Sequence, residues 1–209
     1  MEACGCSRST SSKPGASHMD VEFLRWFSDS KIVDARGKPL VVYHGTRAFF
    51  DQFRSKNRNS SIGFHFGDIS QAENFAGFNA HGLTAFGGNV VPAYLRITRP
   101  IHVPDVFGGK RKNVETLARH LYMKGLVNAI TYSRTMYAKT IGSGWRVVIK
   151  ALKENGNDGI VYRNNYEGDI KGDNLAYIVF DSEQIRSVFD RAIYTPTASG
   201  GAETATCFP

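Results

Sequence analysis

The apolar segments of this chain follow no regular order of periods, and that irregularity constrains the fold more than any other feature. Short continuous or alternating runs at 40–44, 62–66, 90–97, 159–162 and 175–180 read as strands. Helical spacing appears at Phe23, Trp26 and Phe27 behind a capping Asp20. It appears again over 70–78, with Ala72, Phe75 and Ala76 inward, over 113–124, and over 145–154 before Gly156. Ile32-Val33 makes a brief strand before a turn at 34–37, and Pro100 is expected to stop the strand before it. A doubly wound parallel sheet needs strands and helices in strict alternation, so the predicted class is α+β. No apolar run approaches the roughly 20 residues of a membrane helix, and no span is expected.

The ends are different in character. Residues 1–19 are small and polar, with a His18-Met19 junction like a cloning scar, and are expected to be a disordered leader or expression tag. Residues 195–209 read as a flexible tail, leaving 20–194 as one domain. The three cysteines, Cys4, Cys6 and Cys207, all fall in these ends. The folded body therefore has no thiol for a disulfide, a nucleophile or a zinc site.

Charge is local as well. The chain carries 26 basic and 19 acidic residues, a net +7. Segment 107–150 alone holds nine basic residues against Glu115, so the remainder is close to neutral. A basic run of this kind is either a solvated helical face or a docking surface. The interleaved Tyr122, Tyr132 and Tyr137 would also suit stacking on nucleic-acid bases.

Common catalytic signatures are missing. There is no G-x-x-x-x-G-K-[ST], no strand–GxGxxG–helix unit, and no His/Cys spacing for a metal. Ser143 lies between two glycines but follows no strand, so it is not a nucleophile elbow. Two constellations remain. Tyr43-His44-Gly45-Thr46 emerges directly from an apolar strand. His44 there is either a core histidine satisfied by one hydrogen bond or part of a small-molecule site, since Gly45 leaves its backbone approachable by a flat ligand. The second is Gly63-Phe64-His65-Phe66-Gly67-Asp68, running into a helix that carries Phe75. Alternation turns His65 away from Phe64 and Phe66, from where it can face the same cleft as His44.

The 40–46 segment resembles the His-Gly strand of ADP-ribosyltransferases of the diphtheria-toxin and poly(ADP-ribose) polymerase type. Residues 63–76 are similar to the second motif of that superfamily, a G-[ILF]-Y-F strand followed by a helix ending in an aromatic residue. Segments 158–164 and 176–185 resemble its third region. The order is most similar to compact enzymes of phage polyvalent proteins and bacterial effectors, with 106–144 as an unmatched basic, partly helical insertion.

The resemblance implies two packed, mostly antiparallel sheets with flanking helices around a cleft for NAD+ as substrate. It implies that His44 bonds the adenosine ribose and that Gly45 pairs with the nicotinamide carboxamide. Tyr43, Thr46, Gly63 and Phe66 frame the site, while His65 and Phe75 take the aromatic positions that hold the nicotinamide ring. In polymerase-type members the catalytic glutamate directly precedes the Tyr-Ile-Val segment, where this chain has Ala176. Glu167 is therefore the candidate carboxylate, with Asp169 and Asp173 behind it. No metal is required.

The implied activity is transfer of one ADP-ribose to a protein acceptor docked on 107–150, by a monomeric bacterial effector or toxin secreted or delivered into a host cytosol. Ubiquitin is one acceptor that effectors of this type use. The basic segment favours an alternative, DNA or RNA as acceptor. Ala176 favours another, a catalytically inactive module that binds NAD+ or ADP-ribose.

Overall fold

The computed structural model describes residues 21–48, 50, 52–54, 62–79, 82–83, 88–107, 111–164 and 174–189. The leader 1–19, the tail 195–209 and Glu167, Asp169 and Asp173 lie outside these residues. Along the chain come α1 (Val21–Phe27), β1 (Val42–Thr46), β2 (Phe64–Phe66), α2 (Ile69–Ala76), β3 (Phe78–Asn79), β4 (Gly82–Leu83) and β5 (Asn89–Leu95). They are followed by β6 (Pro100–His102), α3 (Arg111–Met123), α4 (Ala129–Met136), α5 (Ile141–Glu154), β7 (Gly159–Arg163), β8 (Leu175–Val179) and β9 (Ile185–Ser187). None of these helices is long and apolar enough to cross a membrane.

The class is α+β, with two sheets rich in antiparallel pairs. One has the order β1-β5-β9, the other β2-β8-β7-β6, and β3 and β4 form a separate two-stranded ribbon. Only the β6–β7 pair in these sheets is parallel among the described strands.

Both faces of the four-stranded sheet are covered. Val161, Tyr177, Val179 and Phe66 pack with Val42, Ala93 and Leu95 of the first sheet. Ile160, Tyr162, Ala176 and Ile178 pack instead with Leu117, Leu121, Trp145, Val148 and Leu152 of the helices. Burial on two faces explains why β7 and β8 read as continuous apolar runs with no polar alternation.

Helices α3 and α5 fall near their expected places, whereas α4 has no counterpart in the sequence reading. Its sequence, AITYSRTM, is rich in residues of modest helix propensity. Asn128 caps it by accepting from the Thr131 N–H at 2.8 Å, and packing on α3 and α5 supplies the rest. Helix α5 begins at Ile141, where Thr140 and Ser143 cap each other reciprocally. Ser143 is thus a capping residue. Beyond the helix end, Gly156 takes φ +83°, the left-handed conformation expected of a helix stop.

Pro100 does not end a strand but opens β6, an edge strand where its missing N–H is harmless. The Asp158 carboxylate holds the turn before it, accepting from the Thr98 N–H and hydroxyl and the Arg99 N–H, each at 2.7 Å. Gln184 ties the same region together. Its Oε1 accepts from the Phe180 and Asp181 N–H groups, both at 3.0 Å. Its Nε2 donates to the carbonyls of Arg96 (3.0 Å) and Asp158 (2.7 Å).

Candidate active site

Among the described residues, an isolated backbone bridge between Tyr43 and Gly67 joins the edges of the two sheets, and β1 and β2 part beyond it. The Tyr43 N–H donates to the Gly67 carbonyl at 2.9 Å, and the Gly67 N–H returns the bond to Tyr43 at 3.0 Å. In antiparallel register the next bonded pair would be Gly45 with His65. It does not form. The Nδ1–H of His44 donates to the His65 carbonyl at 2.7 Å, taking the acceptor that Gly45 would have used.

Gly45 is left with a donor and an acceptor on an open edge. Because Tyr43 points its peptide groups toward Gly67, alternation points those of Gly45 the same way, away from β5. Neither group has a hydrogen-bond partner among the described residues. Glycine is required here by packing: a Cβ at Gly45 would lie 2.0 Å from the carbonyl oxygen of Ala72 in α2. The bare backbone that a ligand would meet is thus a consequence of the close approach of α2 to β1.

His44 combines both readings open to it, satisfied and presenting an acceptor. Its ring is half-buried against Phe53, Phe66 and Phe50, at centroid distances of 5.2, 5.4 and 6.0 Å. Burial lowers its pKa below 6.5, and the bond to the His65 carbonyl opposes that shift only in part. A carbonyl can only accept, so Nδ1 carries the proton and neutral His44 keeps Nε2 as an acceptor. Thr46 is buried and bends the chain after the strand, its Oγ1 accepting from the Ala48 N–H at 3.0 Å.

The expectation that His65 shares a cleft with the His44 ring is corrected. His65 lies across β2 from Phe66, and its imidazole packs with Phe107 and Tyr162, at 5.8 and 6.4 Å between centroids. Its Nδ1 is 3.4 Å from the Tyr162 hydroxyl. The strand pleat separates the two rings, and only the His65 carbonyl reaches His44. Phe75 is also corrected, since it is 57% exposed on α2 rather than turned into the core with Ala72 and Ala76. Phe66 is buried and Gly63 is closely packed, a Cβ there meeting the Ile178 Cγ2 and the Val179 carbonyl at 2.4 Å.

Ala176 stands opposite Tyr162 in the β7–β8 register and is 1% exposed within the apolar cluster under the helices. The position that the resemblance to polymerase-type members gives to a glutamate is therefore packed core in this chain.

Sequence reasoning passed over two polar residues beside this junction. Gln71 and Asn164 are each 4% exposed. Gln71 donates through Nε2 to Asp68 at 3.1 Å and accepts from the Asn164 amide at 3.5 Å. The only sequence signal was the Asp68-x-x-Gln71 spacing at a helix start, realised as an Asp68 cap on the Gln71 N–H at 2.9 Å.

Residues 34–193 match the family described as ADP-ribosyltransferase in polyvalent proteins. The match runs through 106–144 and covers well over half of the chain, so the chain belongs to this ADP-ribosyltransferase family. The crystal structure of an anti-CRISPR protein aligns with 71% of this chain and 95% of its own, at 9% identity and a TM-score of 0.34. No curated protein matches the sequence.

Proposed function

We propose that the protein transfers a single ADP-ribose from NAD+ to a protein acceptor and releases nicotinamide. The observation that supports this most is the open Gly45 edge beside His44. A carboxamide has one N–H donor face and one carbonyl acceptor, and it can complete the interrupted pairing on Gly45 as a strand residue would. The Nε2 acceptor of neutral His44 suits a ribose hydroxyl, and exposed Phe75 offers a surface for the nicotinamide ring.

The bond between ribose C1′ and the ring nitrogen breaks with its electron pair leaving on neutral nicotinamide, so positive charge develops on the ribose. Glu167 is the carboxylate we assign to that charge, through the 2′-hydroxyl. It then takes the proton of the acceptor nucleophile as that atom bonds to C1′. Loss of such a group costs about 10²-fold or more in rate.

The basic 107–150 segment supports an acidic acceptor surface, and here two polymers compete. Incubation with labelled NAD+ and lysate separates them. Protease-sensitive label supports the protein acceptor, nuclease-sensitive label replaces it with DNA or RNA, and absence of both label and nicotinamide release leaves a binding module.

A further inference from the structure

We infer that the outward face of α4 is where the acceptor docks, and that it fits an acidic protein surface with an apolar recess. The inference names the partner of the transfer proposed above and rests on that reading. Helix α4 buries Thr135 and half-buries Thr131, Tyr132 and Met136. Ile130, Ser133, Arg134 and Tyr137 lie on its exposed side, at positions i, i+3, i+4 and i+7. Tyr137 follows the last helical residue, but with φ −95° and its N–H on the Ser133 carbonyl at 3.0 Å it continues that stripe. Ile130 is 65% exposed and Tyr137 85%, and neither belongs to the apolar clusters of the described residues. Exposed Met123 ends α3 just before the turn into α4. Single apolar side chains are ordinary on a surface, whereas two on one helical stripe among cations have the composition of an interface.

Charge selects the occupant. Residues 123–140 hold Lys124, Arg134 and Lys139 and no carboxylate. All three are exposed, and none is in an ion pair among the described residues. On α5, by contrast, Lys150 and Lys153 are paired with Glu154 and Asp181. Arg134 lies within the apolar stripe, and Lys124 and Lys139 come before and after it along the chain. A partner that covers Ile130 and Tyr137 must therefore bring carboxylates to these cations. A second copy of this chain in a two-fold contact centred on the stripe would set Arg134 against Arg134, so like charges oppose that occupant.

The tyrosines argue against nucleic acid. Tyr122 and Tyr132 are stacked on each other between α3 and α4, with 4.9 Å between centroids and 14° between planes. Each commits a ring face to this brace, whereas strand binding asks for a row of free faces along a cationic groove. Of the three tyrosines in this region, Tyr137 alone has no ring partner among the described residues. One projecting aromatic beside a guanidinium suits the anchor of a protein contact instead.

The test uses the full chain, NAD+ labelled in its ADP-ribose, cell lysate as the source of acceptor, and a glutamate–tyrosine copolymer as binding probe. Ile130→Gln combined with Tyr137→Gln, and Arg134→Glu alone, are each expected to lower protease-sensitive label by about tenfold or more. Nicotinamide release without lysate is expected to stay within about twofold, since this face does not touch NAD+. Arg134→Lys and Tyr137→Phe, which keep the cation and the ring, are expected to retain the label. The copolymer is expected to bind wild type in a salt-dependent manner and the first two variants about tenfold more weakly.

Full labelling by the Ile130/Tyr137 and Arg134→Glu variants overturns the inference. So does label that nuclease removes, or a dimer of wild type that Tyr137→Gln abolishes. If wild type neither releases nicotinamide nor labels protein, the transfer reading fails, and copolymer binding alone decides whether α4 is a docking face. Equal binding by wild type and these variants refutes it.

Discussion

The imidazole of His44 and the backbone of His65 share a 2.7 Å hydrogen bond at the point where β1 and β2 stop pairing. The bond replaces a strand–strand link with a side chain, and so opens a gap of one peptide pair at Gly45. One histidine shapes the gap, fixes its own tautomer and presents its second nitrogen as an acceptor.

His44 makes the protein sensitive to mild acid. Its folded pKa lies below 6.5 because burial penalises the charged ring. As pH falls below 6.5 the unfolded chain takes up the proton first, so stability declines from there down through the folded pKa. Wild type is expected to lose more thermal stability between pH 7 and 5 than His44→Gln, measured as Tm against pH. Parallel curves would contradict the assignment.

Gly45→Ala places a methyl group against the backbone of α2, which cannot yield as a flexible side chain would. The expected cost is about 1–3 kcal/mol in denaturant unfolding, with loss of NAD+ binding. Gly37→Ala is the control. It has φ +75° and no atom within 4 Å, and it should cost stability through backbone strain while leaving binding intact.

Gln184→Ala removes all four bonds that join the ends of β5 and β8 to the start of β7. A loss of about 2 kcal/mol or more is expected, since two donors and two carbonyls lose their partner together. Chemical denaturation measures it, and a change below about 0.5 kcal/mol would show that water replaces the amide.

Ala176→Glu is not expected to install a working carboxylate. The site is 1% exposed in an apolar cluster, so the variant should be destabilised by about 3 kcal/mol or more, or retain a protonated side chain. A stable variant with raised nicotinamide release would contradict the packing described for β8.

Much of the candidate site was legible because its residues are adjacent in sequence. His44-Gly45 and the Gly63–Asp68 run announce themselves by composition. What sequence could not show is which edge each strand leaves unpaired, and this decides whether the Gly45 peptide groups face an open gap. The side of β2 that His65 faces followed from alternation, but the location of the cleft did not, so the two histidines were joined wrongly. Phe75 fits the helical stripe with Ala72 and Ala76, yet it is Ala72 that lies against the Gly45 backbone while Phe75 stays exposed. Helix α4 and strands β6 and β9 are held by tertiary pairing more than by local propensity, and short elements of that kind leave little period to read.

The most direct test of the open Gly45 edge is the backbone amide of Gly45 itself, followed by ¹⁵N–¹H NMR during titration with nicotinamide and then NAD+. The account predicts a saturable downfield shift of this amide with both ligands, as a carboxamide oxygen takes up the N–H, and loss of the NAD+ effect in His44→Ala. A Gly45 amide that stays unmoved at saturating NAD+ would contradict it.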